Sequence, residues 1–220
     1  MSAIGGSGLS GESDWSQLTT ETFEEEFDRF ARTAFRLETR QDYTGATGPR
    51  YDYWRRREPM PERSPRTSPY LARVAKTTRA GKRWQRAHIV ELPLSEYMQY
   101  EMAVYAENVA AGEDIRIVDR TAHPALDTLA DDFWLFDAHD SSLEHAVFLR
   151  FDDRGYPVRY ERTNNRERLA VCHWQHDLVW SLAVPLSDFL ADNSQHPQHG
   201  TGALRPSGER MTEDKQPWTL

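Results

Sequence analysis

The feature that most constrains the fold is a strand–helix–strand pattern between residues 84 and 118. Residues 84–92 (WQRAHIVEL) are rich in β-branched and aromatic residues and end before a proline, which is typical of a strand. Ser95 is a suitable N-cap for a helix that runs to Gly112, and residues 114–118 (DIRIV) alternate as a second strand does. A helix that joins two such strands lets them lie parallel in one sheet. The pattern therefore predicts an α/β chain.

The residues before this unit predict two helices and a short strand. Phenylalanines at helical spacing between residues 23 and 30 form one apolar stripe, and Thr22 with Glu25 matches a capping box for that helix. Residues 35–38 alternate apolar and charged side chains, as a short strand does. A second helix begins after Ser68, because serine followed by proline is a favoured helix start.

The residues after the unit predict an antiparallel hairpin and a last helix. Residues 133–136 (FWLF) are apolar on both faces, like an interior strand. Residues 146–151 and 157–160 are two strands joined by a short turn, and residues 167–184 form a helix. The whole pattern predicts an α/β fold, with α+β as the alternative. We expect a single domain with a mixed sheet of about five strands, a parallel β-α-β unit followed by an antiparallel hairpin, and helices on the faces.

The two ends of the chain differ in composition from the part between them. Residues 1–18 are rich in Gly and Ser without an apolar period, and residues 191–220 are rich in polar residues, Gly and Pro. We therefore expect a disordered N-terminal tail (1–18), one globular domain (19–190) and a flexible C-terminal tail (191–220). The single Cys allows no intramolecular disulfide, and the start of the chain lacks the apolar run of a signal peptide. These features predict a cytoplasmic protein without a membrane span.

Positive charge is concentrated between residues 50 and 86. This segment holds twelve Lys and Arg against three acidic residues, about +9, whereas the whole chain carries a formal charge of −8. Four prolines between residues 59 and 69 predict that its first half is loop or short turns. One interpretation is that the segment neutralises the acidic remainder of its own protein, and the other is a basic binding surface. That surface would comprise Arg55, Arg56, Arg57, Lys82, Arg83 and Arg86.

Nucleic acid is a disfavoured partner for this segment. The negative net charge opposes binding to duplex DNA, because most of the protein surface would repel phosphates. Tyr51, Tyr53 and Trp54 lie within the segment, however, and aromatic side chains beside cations can stack with unpaired bases. Single-stranded nucleic-acid binding through residues 50–86 therefore stays an alternative.

Six short segments along the chain together resemble a known family. They are FRLE (35–38), GKRWQR (81–86), PLSEY (93–97), NVAAGEDIR (108–116), DFWLFD (132–137) and FDDRG (151–155). In this order they resemble an actinobacterial domain-of-unknown-function family, over roughly residues 19–190, whose members are often encoded beside helix-turn-helix regulators and their small partner proteins. The resemblance implies a cytoplasmic accessory protein of regulation or metabolism, and it supplies no catalytic residues.

A weaker likeness connects the parallel unit and the FWLFD segment to half-domains of the phospholipase D-like fold. That chemistry uses a His-x-Lys motif, in which the histidine attacks phosphorus and the lysine holds its oxygens. None of the eight histidines has a lysine two positions later. The likeness therefore implies an inactive form.

Charged residues inside otherwise apolar segments form a candidate pocket. Such charges are costly unless they are paired, and ligands of parallel sheets bind near the carboxyl ends of the strands. The candidates are Glu38, Glu101, Asp114, Arg116 and Asp137. One interpretation pairs Arg116 with Asp137 or Glu38 in a structural ion pair. The alternative is a carboxylate and arginine pocket for a small molecule or nucleotide.

A second candidate is a polar face of the last helix. His173, His176 and Asp177 follow a spacing of i, i+3 and i+4, which places them on one side of a helix. The spacing falls short of the known zinc motifs, so neither a metal site nor a cofactor is predicted. Cys172 lies in the middle of the same helix, where nothing lowers the pKa of a thiol, and it is not a predicted nucleophile.

Three functions compete on these features. We favour a non-catalytic interaction or accessory module whose protein partner is a helix-turn-helix regulator, which predicts an exposed aromatic surface and no deep polar pocket. The first alternative is a hydrolase or transferase that acts on a small molecule or nucleotide, with its carboxylates and arginine at the strand ends. The second is single-stranded nucleic-acid binding. The sequence predicts no oligomeric state.

Overall fold

Six α-helices and eight strands make up the part of the chain that the computed structural model describes, residues 14–43, 45 and 47–194. The helices are α1 (Thr20–Arg29), α2 (Pro49–Arg55), α3 (Pro69–Arg79), α4 (Glu96–Ala111), α5 (Arg166–Leu182) and α6 (Leu186–Ser194). The strands are β1 (Ser16–Leu18), β2 (Thr33–Glu38), β3 (Arg83–Val90), β4 (Glu113–Asp119), β5 (Asp132–Phe136), β6 (His145–Phe151), β7 (Pro157–Thr163) and β8 (Val184–Pro185). Two single-turn 3-10 helices, Arg120–Ala122 and Pro124–Leu126, lie between β4 and β5.

All eight strands of the described chain belong to one mixed sheet, in the order β1-β7-β6-β5-β2-β3-β4-β8. β2, β3 and β4 run parallel, and the other neighbouring pairs are antiparallel. The predicted α/β fold is confirmed, with its parallel strand–helix–strand unit and its β6–β7 hairpin. The sheet exceeds the expected five strands because β1 and β8 have three and two residues, too few to show a period in the sequence.

Helices cover both faces of the sheet. Phe35 of β2 and Ile89 of β3 pack in one cluster with Val179 of α5. The alternate residues of the same strands point to the opposite face, where α1 and α3 cover one part of the sheet and α4 and α6 the other. Because both faces of β2 are covered, all six of its residues are buried, including Arg36 and Glu38. Charged side chains therefore enter the core.

Side-chain caps set the helix ends that the sequence predicts. Ser68 and Ser95 accept backbone N–H groups at the starts of α3 and α4. Gly112 ends α4 in the left-handed conformation, with φ of 115°. The capping box of α1 differs from the prediction, since it is formed by Thr19 and Thr22. Thr19 has the extended backbone of an N-cap, and the helix already includes Thr22.

Local structure departs from the predictions at three further places. Helix α2 lies where we expected loop or short turns, and its Pro49 occupies the first turn, where proline is tolerated. Strand β1 falls inside the predicted N-terminal tail because it pairs with β7. The last predicted helix ends at Leu182, and α6 continues the fold to Ser194, past the expected boundary. The rest of the two predicted tails, residues 1–13 and 195–220, lies outside the described residues.

Candidate functional site

The most polar part of the core lies beneath α4, where two arginines meet three carboxylates. Arg86 of β3 donates from Nε to Glu113 and from Nη1 to Glu38, each at 2.8 Å. Arg36 of β2 lies 3.4 Å from Glu38 and 3.2 Å from Asp132. The five side chains are at most 2% exposed. We call these five residues the buried charged network.

Hydroxyl and imidazole groups surround the network. The Tyr105 hydroxyl of α4 donates to Glu38 at 2.7 Å and lies 2.7 Å from Nδ1 of His88. The Tyr43 hydroxyl donates to Asp132. These groups satisfy carboxylate oxygens that would otherwise face apolar surroundings, which is what makes the burial of the charges tolerable.

Opposite charge outweighs burial at Glu38. Burial alone raises the pKa of a carboxyl, but Arg86 and Arg36 hold the pKa of Glu38 well below its usual range. At His88 burial prevails over the neighbouring carboxylates and lowers the pKa of the imidazole, which favours its neutral form. Nη1 of Arg36 is buried without a hydrogen-bond partner in the described chain.

Glu101 of α4 borders the network and differs from its carboxylates. It is buried and accepts a hydrogen bond of 2.7 Å from the Tyr97 hydroxyl, but it forms no salt bridge within the described residues. Burial raises the pKa of Glu101 to about 7. The group therefore changes its charge near neutral pH, while Glu38 stays ionised.

The five residues of the predicted pocket do not converge. Glu38 and Glu101 lie in or beside the buried charged network. Asp137 lies beyond the end of β5, beside the start of β2, where its carboxylate accepts backbone N–H groups of residues 31–33 at 2.6–3.2 Å. Four such contacts hold the carboxylate in a structural role, far along β2 from Glu38.

Asp114 and Arg116 lie on the opposite face of the sheet from Glu38. Nε of Arg116 is 3.7 Å from Asp114, and its guanidinium lies 4.2 Å from the ring centre of Trp180 in α5. The predicted pairing of Arg116 with Asp137 or Glu38 is therefore not formed. The reason is the alternation of the strands, which turns Arg116 towards α5 while Glu38 faces α4.

The predicted polar face of α5 divides into two separate contacts. Nε2 of His173 lies 2.5 Å from Glu144, and its ring stacks on His139. Nδ1 of His176 lies 2.9 Å from Asp177. No group of three or more His, Cys, Asp or Glu among the described residues has the geometry of a metal site.

The basic segment of residues 50–86 pairs with acidic residues of its own protein. Arg50 donates to both oxygens of Glu107 in α4, at 2.6 and 2.7 Å. Arg63 is buried and lies 3.4 Å from the same carboxylate. Arg73 pairs with Glu24 of α1 at 2.6 Å. These contacts support the interpretation that the segment neutralises the acidic body.

The predicted basic surface is smaller than the sequence suggested. Arg86 does not belong to it, because β3 is an interior strand and its side chain is in the buried charged network. Lys82 donates to the carbonyl of Phe30 and lies 4.4 Å from the centre of its ring. The exposed members are Arg55, Arg56, Arg57 and Arg83.

The aromatic residues of the basic segment serve packing. Tyr51 and Trp54 are half-buried, with ring centres 5.0 and 6.1 Å from that of Tyr100 in α4. Tyr53, also half-buried, has the guanidinium of Arg56 5.2 Å from its ring centre. These rings do not form the exposed stacking platform that single-stranded nucleic acid requires.

An open depression of about 370 Å³ lies at the start of α5, lined by residues 14–16 and 162–165. Two of its polar side chains already have partners. The Asn165 side chain accepts two backbone N–H groups of the first turn of α5, and Nε of Arg162 lies 3.4 Å from Glu26. The depression therefore presents no converging acid and base.

One helix face that overlaps the predicted sites only at Asp177 exposes apolar side chains. Val171 and Trp174 of α5 are 51% and 54% exposed, and Ala170 beside them is also exposed. Glu167 and Asp177 share this side of the helix, since positions three, four and seven apart lie on one face. We call these five residues the outer face of α5. In the sequence, this face is indicated by two apolar residues, Val171 and Trp174, that do not belong to the inward-facing stripe. That stripe consists of Leu169, Cys172 and Val179.

Comparison with known families places most of the chain in one family. Residues 21–191 match the family described as "Domain of unknown function (DUF6879)". The chain belongs to this family. The match confirms the family resemblance in the sequence, and the family description assigns no activity. No curated protein matches the chain.

One solved structure that resembles the chain is TrmBL2, an archaeal chromatin protein described as showing a novel mode of DNA binding. The TM-score is 0.42 and the sequence identity 9%, over 80% of this chain and 55% of that chain. The chain thus spans about half the length of that relative.

None of the helices in the described residues is long and apolar enough to cross a bilayer.

Proposed function

We propose that this chain is a cytoplasmic, non-catalytic interaction module that acts with a helix-turn-helix regulator. The observation that carries the proposal is the distribution of its charged side chains. The largest group that converges in the described chain is the buried charged network, at most 2% exposed, and the smaller, more exposed groups around Arg50, Arg73 and Arg150 are ion pairs within the protein. Catalysis requires acid, base and substrate within hydrogen-bond reach, and a sealed network offers no such contact.

The other candidate catalytic residues are also poorly placed to react with a substrate. Asp114 and Arg116 pair with each other on the α5 side of the sheet, and the four backbone N–H contacts of Asp137 occupy its carboxylate. Cys172 is buried, and burial raises the pKa of its thiol to about 12, so the reactive thiolate is scarce at neutral pH. These placements favour binding over chemistry.

Charge favours a DNA-binding regulator as the partner. The chain carries −8, and its basic segment is partly paired with its own acidic residues. A regulator that contacts phosphates is basic, so the two proteins are electrostatically complementary. All strands from β2 to β8 belong to one sheet, which supports the further proposal that residues 19–190 act as a single unit.

The test is complex formation with the helix-turn-helix regulator encoded nearest to the gene of this chain. The two purified proteins are mixed and measured by size-exclusion chromatography with light scattering and by calorimetry. We expect a stoichiometric complex with a dissociation constant of about 1 μM or below. A helix-turn-helix regulator from a distant locus is the control. Absence of a complex, or equal binding of both regulators, would falsify the proposal.

A further inference from the structure

The outer face of α5 combines exposed apolar side chains with two flanking carboxylates. Val171 and Trp174 lie in the middle of the helix, with Glu167 a turn before Val171 and Asp177 a turn after Trp174. We propose that this face binds a helix of the regulator whose apolar stripe is flanked by Lys or Arg. This inference rests on the proposed function, and it adds the surface and the chemistry of the partner segment.

The apolar part of the face is not needed for the fold of its own helix. Leu169, Cys172 and Val179 already fasten α5 to the sheet, and each is at most 6% exposed. Trp174, by contrast, leaves 54% of its surface in solvent. A large aromatic side chain of this kind supplies much of the binding energy when a partner covers it.

The charge of the face selects a basic partner. The Asp177 side chain is 71% exposed, and Glu167 is exposed as well. Two arginines adjoin Glu167: the guanidinium of Arg168 points elsewhere, 4.3 Å from the ring centre of Trp15, and the exposed Arg166 is the first residue of the helix, one turn before Ala170. The outward positions therefore carry two carboxylates about 15 Å apart along the helix, at a rise of about 1.5 Å per residue.

Two arrangements of a second copy of this chain fit the face poorly. In an antiparallel pair of α5 helices, Trp174 can pack on Ala170 of the other copy. Glu167 then lies opposite Asp177 of the other copy, because the midpoint between positions 170 and 174 is also the midpoint between positions 167 and 177. A parallel pair sets each carboxylate opposite its own counterpart. Like charges in register disfavour both arrangements, whereas Lys or Arg at the ends of a foreign helix neutralise the carboxylates.

The probes for the test are two labelled amphipathic peptides of about 20 residues, long enough to cover the exposed face as helices. Both carry the same leucine stripe, and one has Lys where the other has Glu at the flanking positions. Fluorescence anisotropy on the full chain measures the two affinities. We expect the Lys peptide to bind at least about 5-fold more tightly at low salt, as two exposed ion pairs allow.

Variants then locate the binding on α5. Trp174→Ala should weaken the Lys peptide by about 30-fold, as expected for an aromatic residue at the centre of an interface. The double variant Glu167→Gln with Asp177→Asn should bring the two peptides to within about 2-fold of each other. Val109→Ala on α4 is the matched control, because Val109 is a helical side chain of similar exposure, 44%. Circular dichroism confirms that each variant is folded.

Three results would overturn the inference. They are equal binding of the two peptides, a Trp174→Ala variant that binds as the wild type does, and a dimer of the chain that Trp174→Ala dissociates. The regulator complex separates this failure from failure of the proposed function. If the regulator complex forms with wild type and these substitutions do not weaken it, only the assignment of the outer face of α5 is wrong. If no complex forms, the proposed function itself is wrong.

Discussion

At the scale of single residues, each carboxylate of the buried charged network has a cation within hydrogen-bond or ion-pair distance. Glu38 contacts both arginines, Glu113 contacts Arg86, and Asp132 contacts Arg36. Removing one partner of such a group leaves a buried charge without compensation, which costs more than the pair contributes. The network is therefore a structural device whose members depend on one another. Glu101, which borders the network, differs because it has no salt bridge in the described chain.

Replacement of Glu101 by glutamine should change the pH dependence of stability. The folded state raises the pKa of Glu101 from 4.5 to about 7, so it binds the proton more tightly than the unfolded chain. The contribution of the protonated group is complete below about pH 4.5 and is lost as the pH rises through 7. Gln keeps an acceptor for the Tyr97 hydroxyl and carries no charge. We expect little difference at about pH 5 and a gain of about 2 kcal/mol over wild type at about pH 8.

Urea unfolding at both pH values measures this effect. Glu96→Gln, at an exposed position of the same helix, is the control and should show no such change with pH. A difference between Glu101→Gln and wild type that is the same at both pH values would show that the carboxyl is ionised throughout.

At the scale of elements, the β6–β7 turn holds the segment that follows β2. Gly155 of this turn has φ of 76°, and a Cβ there would lie 2.7 Å from the Asp42 carbonyl oxygen and from Tyr43 Cα. Tyr43, which follows Asp42, donates a hydrogen bond from its hydroxyl to Asp132. The close approach of the two backbones thus secures one side of the buried charged network.

Gly155→Ala should therefore be more destabilising than a glycine substitution that meets only an unfavourable φ. Gly81 is the matched control, because its φ is 90° and nothing lies within 4 Å of a Cβ placed there. We expect about 1 kcal/mol for Gly81→Ala and about 3 kcal/mol for Gly155→Ala, since the second adds a backbone clash. Chemical unfolding of the two variants measures both costs. Equal costs would mean that the turn moves away without penalty.

The helices and long strands could be predicted because their signals are local. Ser95 and Gly112 mark the ends of α4 by their own backbone preferences, whatever the rest of the chain does. β8 has no local signal, and its two residues form a strand only through pairing with Arg116 and Ile117 of β4. The cap of α1 at Thr19 was missed because two threonines three residues apart satisfy each other without a Glu.

At the scale of the whole molecule, the basic segment and the acidic body are joined by ion pairs. Arg63 lies at the centre of this contact, with its side chain 4% exposed, 3.4 Å from Glu107 and 2.6 Å from the Asn108 side chain. The long segment between α2 and α3 is thereby fastened to α4. Without these contacts, few interactions would hold this proline-rich segment in one conformation.

Arg63→Ala should lower the free energy of unfolding by about 2 kcal/mol, because it leaves the buried Asn108 side-chain oxygen without its donor and removes a buried side chain, while Glu107 keeps its two hydrogen bonds from Arg50. Arg66→Ala, at an exposed position of the same segment, should change it by no more than about 0.5 kcal/mol. Thermal or urea unfolding of both variants provides the comparison. Similar small losses in the two would mean that the segment is not held by its charges.

The sequence by itself determined the α/β class, the parallel unit, the hairpin and most helix ends, because these depend on side-chain periodicity and on caps within a few residues. It also marked Glu38 and Glu101 as charges in apolar surroundings. Only the tertiary structure decided which charged side chains are buried and which partners they contact. Alternation along β4 sent Arg116 to the α5 side, and the interior position of β3 moved Arg86 from a supposed surface into the core. The physical reason is that burial and pairing depend on which strands become neighbours and which faces helices cover, and these are contacts between residues far apart in the chain.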